Sequence, residues 1–280
     1  MAIMRIPSPR FKRRTASGLL FVAVLAFTSP SFAWAPAVHG WIAIQATGND
    51  DGRIAYGAVA ADLNEAARET VRSELRQLSH NRYDLLEPSL FADGFAAHNE
   101  MWGADAYAHG ATNPDTHQYI KGYIQLKSEQ LSQELGISVG EGHLLMETAA
   151  DFTIRKLYGP RVGGRVFLGA LFSGRYPSNE LADAFSQPLA DATGLSVEEA
   201  ESEISQAASL IRAGAGLYGS QFAMPVPYLS TMIPLGLSLV QGTDVATASL
   251  RFARAMELCE DLEDELEYVI PRVRDQLPPE

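Results

Sequence analysis

The chain has 280 residues, a formal net charge of −12 at pH 7, 46% hydrophobic residues and a single cysteine, Cys259. A dedicated nucleic-acid binder normally has an excess of basic residues, which this acidic chain lacks. A single cysteine excludes an internal disulfide. The length suffices for one sizeable hydrophobic core, so we expect one domain.

The first 33 residues are typical of a secretory signal peptide. Basic residues with no acidic one among them come first: Arg5, Arg10, Lys12, Arg13 and Arg14. An apolar run at 18–27 follows, and small residues at Ser31 and Ala33 occupy the positions that a signal peptidase reads. A helix of this length spans about 15 Å, half of a bilayer core, so an uncleaved anchor is the lesser alternative. We therefore predict a signal peptide over 1–33, export to the periplasm or the medium, and a mature domain over 34–280.

Apolar residues recur at helical spacing along most of the mature chain. One stripe comprises Leu63, Ala67, Val71, Leu75 and Leu78, and another comprises Tyr119, Tyr123, Leu126, Leu131 and Leu135. Ser138 and Ser196 each precede a glutamate by three residues, which predicts a capping box at the start of a helix. A long final helix is expected from Thr243 to about Val269, with its inward face formed by Leu250, Met256, Leu262 and Leu266. Hairpin patterns are not apparent. The predicted fold class is all-α, a single-domain helical bundle.

The segment 219–242 contains no charged residue but has prolines at Pro225, Pro227 and Pro234. The favoured interpretation is a buried, kinked helix with an extended entry, because proline interrupts helices. The alternative is an apolar surface that contacts lipid, since exposed apolar patches often mark such contacts.

Histidines and carboxylates recur at spacings that suit metal binding. Asp105 and His109 follow His98 by seven and eleven residues, which predicts one face of one helix. His143 and Glu147 are four residues apart and also share a face. Imidazole and carboxylate groups on facing helices are typical of metal sites built inside helical bundles.

The start of the mature chain adds a further pair of candidate ligands. Cleavage after Ala33 leaves an α-amine on Trp34, and His39 follows five residues later. An α-amine has a pKa near 8, so a metal ion displaces its proton readily. The amine and the Trp34 carbonyl together can form a chelate ring.

Taken together, these residues resemble the zinc-dependent phospholipases C and the related zinc-dependent nucleases of the same helical fold. The resemblance covers Trp34 to about Glu147 and implies nine metal ligands for up to three zinc ions. They are Trp34, His39, Asp62, His80, His98, Asp105, His109, His143 and Glu147. It also implies that Asp62, in a Gly-x-x-x-x-Asp segment, is both a ligand and the orienter or general base for an attacking water.

The spacing of the central residues departs from that family. The family has its helical aspartate four residues after the first histidine and the next histidine six further on, whereas here the separations are seven and four. Glu100 or His117 could therefore substitute for Asp105. His80 is open to a second interpretation, as part of a polar helix end.

The resemblance implies hydrolysis of a phosphate ester by metal-activated water, and the chain has no Gly-x-Ser-x-Gly segment to supply a serine nucleophile. Basic residues that follow the second metal helix either touch substrate phosphate or form a solvated helix end: Arg155, Lys156, Arg161 and Arg165.

Three functions remain open on this sequence. A phospholipid head group is the preferred substrate, because the acidic body disfavours polynucleotides and 219–242 could meet acyl chains. A nuclease or 3′-nucleotidase on the same cluster comes next, with Trp41, Trp102, Tyr107 and Phe95 available either for base stacking or for core packing. The third is an exported metal-binding protein without turnover, in which the cluster serves stability.

Overall fold

The computed structural model describes residues 36–113, 116–174 and 176–279. The predicted signal peptide, its cleavage site and Trp34 lie outside the described residues. The helices are α1 (Pro36–Thr47), α2 (Gly52–Ala60), α3 (Glu69–Asn81), α4 (Leu90–His98), α5 (Ala104–His109), α6 (Tyr123–Leu135), α7 (Val139–Tyr158), α8 (Arg161–Phe172), α9 (Tyr176–Thr193), α10 (Val197–Phe222), α11 (Val226–Val240), α12 (Val245–Leu258) and α13 (Leu262–Gln276). Two 3-10 turns, Ala61–Ala66 and Tyr83–Leu85, join the early helices.

The fold is all-α, as predicted, apart from one small hairpin. Strands β1 (Gly110–Thr112) and β2 (Tyr119–Lys121) pair antiparallel, with Ala111 opposite Ile120. The helical stripe predicted from Tyr119 therefore begins only at Tyr123. Three-residue strands are too short to give an alternating pattern, so the sequence did not indicate them.

The two predicted capping boxes are confirmed. The Ser138 and Ser196 side chains accept hydrogen bonds from the backbone amides of Glu141 and Glu199, and each glutamate accepts from the backbone amide of its serine. These reciprocal bonds satisfy amides that a helix start leaves without partners. They fix the beginnings of α7 and α10.

The predicted final helix is wrong in its continuity. Helix α12 ends at Leu258 and α13 begins at Leu262, because the chain turns at Cys259, whose amide bonds back to Ala255 and Met256. Leu250, expected to face inward, is exposed. By contrast, the segment 219–242 forms the end of α10, an extended entry at Pro225 and helix α11 with Pro234 inside it. The extended entry and the internal proline agree with the favoured interpretation, but the helix is buried on one face only, since Leu239 and Val240 are exposed.

Helices α2 and α4 cross at very close range through two glycines. A Cβ on Gly94 would lie 2.0 Å from the Ile54 carbonyl oxygen, and one on Gly57 would lie 2.2 Å from that of Phe91. No real Cβ tolerates such distances, so only glycine allows these two backbones to touch. This contact, the α2–α4 glycine seam, brings the end of α4 beside the end of α2.

Buried apolar side chains from nearly every helix form a continuous core around this seam, with Tyr56, Phe95 and Phe185 among the largest. Among the described residues, none of the helices has the length and apolar character that a membrane crossing requires.

Candidate metal centre

Eight of the nine predicted ligands lie in the described part of the chain, and all eight come together. His39 lies on α1, Asp62 on the turn after α2, His80 on α3, His98 on α4, Asp105 and His109 on α5, and His143 and Glu147 on α7. They form three groups in which the ligand atoms lie within 4.8 Å of one another: His39, Asp62 and His98; His80, His98 and Asp105; and His109, His143 and Glu147. Each group can hold a metal ion.

Asp62 lies at the centre of the first two groups. Its Oδ1 is 3.4 Å from His80 Nε2 and 3.4 Å from His98 Nε2, while Oδ2 is 3.8 Å from His39 Nε2. The side chain is 1% exposed, and neither carboxylate oxygen has a hydrogen-bond partner among the described residues. Buried polar atoms normally have partners, so two such oxygens facing imidazole nitrogens indicate a site for a cation.

Hydrogen bonds from the ring nitrogens on the far side orient two of these histidines. His98 Nδ1 lies 2.9 Å from the Ala58 carbonyl oxygen, which can only accept, so Nδ1 carries the proton. His80 Nδ1 lies 2.9 Å from Ser79 Oγ, whose hydroxyl donates to the Arg76 carbonyl oxygen. In both rings the Nε2 lone pair is thus directed at Asp62, in the arrangement that metal-binding histidines usually adopt.

The prediction that His98, Asp105 and His109 share one helix face is wrong, although all three residues belong to the ligand groups. Helix α4 ends at His98, where Asn99 leaves helical geometry, and α5 starts at Ala104. Asn99 Oδ1 accepts the amides of Met101 and Trp102, and its Nδ2 donates to the His80 carbonyl oxygen. This turn carries Asp105 back towards His98 and explains the seven-residue spacing.

Asp105 joins the first two groups to an arginine. Its Oδ1 is 3.9 Å from His98 Nε2, and its Oδ2 accepts from Arg76 Nη2 at 3.4 Å. The same guanidinium donates to Glu100, which also accepts from Asn81. Glu100 is therefore engaged with Arg76 and Asn81, and His117 is exposed on the hairpin, so the structure favours Asp105 over either alternative.

The third group lies nearer the surface. His143 Nε2 is 3.0 Å from Glu147 Oε1, one turn away on α7, and the rings of His109 and His143 stack at 4.8 Å. The His109 carbonyl oxygen accepts from the Tyr119 hydroxyl, so the hairpin is tied to the end of α5. The spacing of four residues predicted this pair correctly.

Burial controls the protonation of the cluster in the protein alone. It lowers the pKa of His80 to about 3 and that of His98 to about 4, so both rings are neutral at pH 7 and can donate a lone pair. Burial raises the pKa of Asp62 to about 7 and raises the pKa values of Asp105 and Glu147 above their usual range. A cation that compensates these charges would ionise all three carboxyl groups.

His98 belongs to two of the three groups but can serve only one metal ion. Its Nδ1 is committed to Ala58, which leaves one lone pair on Nε2. If His98 binds together with His80, then His39 requires other ligands, and the N-terminal residues that precede α1 are the nearest along the chain.

Three polar residues of this region were not predicted from the sequence. Glu65 is 9% exposed, accepts from Asn64 Nδ2 at 2.7 Å, and its charge helps to raise the pKa values of Asp62 and Glu147. Arg76 binds Asp105, and Asp151 is buried beside α1. Helical spacing could have indicated two of them, because Arg76 lies one turn before His80 and Asp151 one turn after Glu147.

Other residues singled out in the sequence have structural partners. Arg155 donates to the carbonyl oxygens of Phe222 and Met224, and Arg161 and Arg165 both bind Asp50. Trp41 stacks on Tyr158, Trp102 packs edge-on against Tyr83, Tyr107 packs edge-on against Tyr268, and Phe95 is buried in the core. The contacts of the aromatic residues agree with core packing. Arg155 does not form part of a solvated helix end, because it is only 8% exposed.

Comparison with protein-family models, with curated proteins and with solved structures returns no match.

Proposed function

We propose that the chain is an exported zinc-dependent phosphoric-ester hydrolase, similar to a phospholipase C, that uses up to three zinc ions. The observation that carries the proposal is the convergence of eight imidazole and carboxylate ligands from five helices and one turn on adjacent groups. Structural zinc sites are usually closed by four ligands on one ion, whereas a multinuclear cluster keeps positions open for water and substrate. Eight ligands exceed the four that one structural zinc ion needs, which argues against a purely stabilising role.

Two of the distances fit a small tetrahedral cation such as zinc. Four ligands at about 2.0–2.1 Å in a tetrahedron lie about 3.3 Å apart. Asp62 Oδ1 is 3.4 Å from both His80 Nε2 and His98 Nε2. Neutral imidazoles with carboxylates are also the ligand chemistry that zinc prefers, and a set made only of oxygens would favour calcium or magnesium instead.

Bound zinc lowers the pKa of a coordinated water towards about 7 and offsets negative charge on phosphate oxygens. The residues of this chain hold that site in a dry environment. Asp62 presents one oxygen to His80 and His98 and the other to His39, which suits a ligand that also orients the attacking water. Glu65, whose charge acts on both Asp62 and Glu147, is a second carboxylate at this site.

A phospholipid head group is the proposed substrate class. The acidic chain disfavours polynucleotides, and 219–242 exposes Met224, Leu239 and Val240 towards solvent, where they can meet acyl chains at a membrane surface. Export, which the sequence of residues 1–33 predicts, would give access to such a surface outside the cytoplasm.

The test combines metal analysis with a hydrolysis screen. Purified protein that begins at Trp34 should contain two or more zinc atoms and should hydrolyse phosphatidylcholine in preference to single-stranded nucleic acid and 3′-nucleotides. Asp62→Asn should abolish turnover, whereas Asp50→Asn, which changes an acid bound by Arg161 and Arg165, should not. One zinc or none would refute the proposal. Turnover of nucleotides alone would replace phospholipid by the nuclease alternative.

A further inference from the structure

Asp151 is a buried acid that the metal groups do not include. It lies on α7, four residues after Glu147 and eight after His143, so its side chain is on the same helix face as those ligands. It is 1% exposed. A carboxylate at such a position requires compensation from the surrounding protein.

Donors from two other helices occupy both oxygens of Asp151. Its Oδ1 accepts the backbone amide of Val38 at 2.9 Å, and the Ala37 amide also points to this carboxylate. Its Oδ2 accepts the hydroxyl of Tyr218 on α10. With both oxygens engaged by N–H and O–H groups, Asp151 is suited to hold α1 rather than to bind a metal ion.

The amides of Ala37 and Val38 belong to the first turn of α1, where helix amides have no acceptor within the helix. Asp151 therefore caps α1 from another element, and the position also suits a negative charge at a helix N-terminus. His39 is the next residue along, and Trp34 lies just before the helix. The hydrogen bond from Val38 to Asp151 thus connects α1, which carries His39, to α7, which carries His143 and Glu147.

We propose that Asp151 and Tyr218 are positioning residues that fix the first turn of α1, and with it His39, against the metal cluster. The inference rests on the proposed function, because it assigns the two residues a role in holding one zinc ion. It predicts that loss of the Asp151 carboxylate at the start of α1 releases that zinc ion. The zinc ions bound by ligands on α3, α4 and α7 should remain.

The experiment measures zinc per chain and the visible absorption of the Co²⁺-substituted protein, which reports coordination, for the wild type and three variants. Asp151→Ala should lose one zinc per chain or bind it at least tenfold more weakly, with a changed Co²⁺ spectrum. Tyr218→Phe should weaken the binding of the same zinc ion, by a smaller factor. Asp151→Asn should retain it, because the amide oxygen can accept from Val38 and the amide nitrogen can donate to the Tyr218 oxygen.

Leu181→Ala is the control for lost stability, since it opens a cavity at a fully buried position of α9, which packs mainly against α10 and α3. It should lower stability and leave the zinc content unchanged. If Leu181→Ala loses zinc as Asp151→Ala does, or if Asp151→Ala folds with the wild-type zinc content and spectrum, the positioning role is refuted.

Should Asp151→Ala fail to fold, Tyr218→Phe decides, and unchanged zinc binding in that variant would overturn the inference. Loss of zinc from folded Asp151→Asn would overturn it as well. A wild-type protein with one zinc or none would instead refute the proposed function together with the inference. A wild type with two or more zinc atoms and unaffected variants would refute the inference alone.

Discussion

The α2–α4 glycine seam predicts a large difference between two chemically identical substitutions. In Gly94→Ala the new Cβ would lie 2.0 Å from the Ile54 carbonyl oxygen, with more of the Ile54 backbone within 3 Å. An ordinary contact requires about 3.4 Å, so the helices must separate by more than 1 Å. Overpacking costs about 1–3 kcal/mol, and contact with backbone atoms rather than a flexible side chain places this case at the upper end. The better helix propensity of alanine returns about 0.5–1 kcal/mol.

The expected net loss is about 2 kcal/mol in the free energy of unfolding, or roughly 4–8 °C in melting temperature for a protein of this size. Gly214→Ala is the control, because Gly214 is inside α10 and a Cβ there meets nothing within 4 Å. That variant should gain about 0.5–1 kcal/mol. Urea unfolding followed by circular dichroism measures both values.

The seam also sets the Ala58 carbonyl beside His98, so Gly94→Ala should weaken zinc binding as well as stability. Equal stability of the two alanine variants would refute the steric reasoning. A destabilised Gly94→Ala protein with unchanged zinc affinity would refute the connection between the seam and the metal site.

Three further predictions concern charge. Glu65→Gln should lower hydrolysis about 10²-fold at unchanged zinc content, measured by initial rates and metal analysis; a loss of zinc would instead make Glu65 a ligand. Burial and Glu87 raise the pKa of Glu180 to about 7, so its contribution to stability is full below pH 4.5 and is lost as pH rises towards 7. The urea midpoint of Glu180→Gln should equal that of the wild type at pH 4 and exceed it at pH 8. If the two proteins had the same midpoint at pH 8 as well, the prediction would be contradicted. Removing zinc with EDTA should lower the melting temperature by roughly 8–16 °C, reversibly on adding zinc, if the free ion had been about 1,000-fold above its dissociation constant. An unchanged melting temperature would contradict a buried site.

Local sequence signals predicted the parts of this molecule that depend on neighbours along the chain. The capping boxes at Ser138 and Ser196 and the pair His143 and Glu147 involve residues three or four apart, which one helical turn brings together. These predictions required no knowledge of tertiary packing.

Interactions between distant segments account for what the sequence did not reveal. The break at Asn99 depends on its bond to the His80 carbonyl oxygen, 19 residues away, so helical spacing alone predicted a continuous helix. Asp151 meets the Val38 amide across 113 residues. Helical spacing places Asp151 on the same face as Glu147 but does not reveal this distant partner. The turn after Leu258 has no glycine or proline to mark it, and the final helix was therefore predicted as unbroken.

The unequal depth of the ligand groups has a kinetic consequence. His80 and His98 are 2% and 0% exposed, whereas the side chain of His143 is 12% exposed and His109 lies at the foot of a surface hairpin. An ion held by His109, His143 and Glu147 needs little opening of the fold to reach solvent, while one held by His80 and His98 must wait for α3 and α4 to part. Dialysis against a chelator should therefore remove metal in two phases, the faster from the hairpin side.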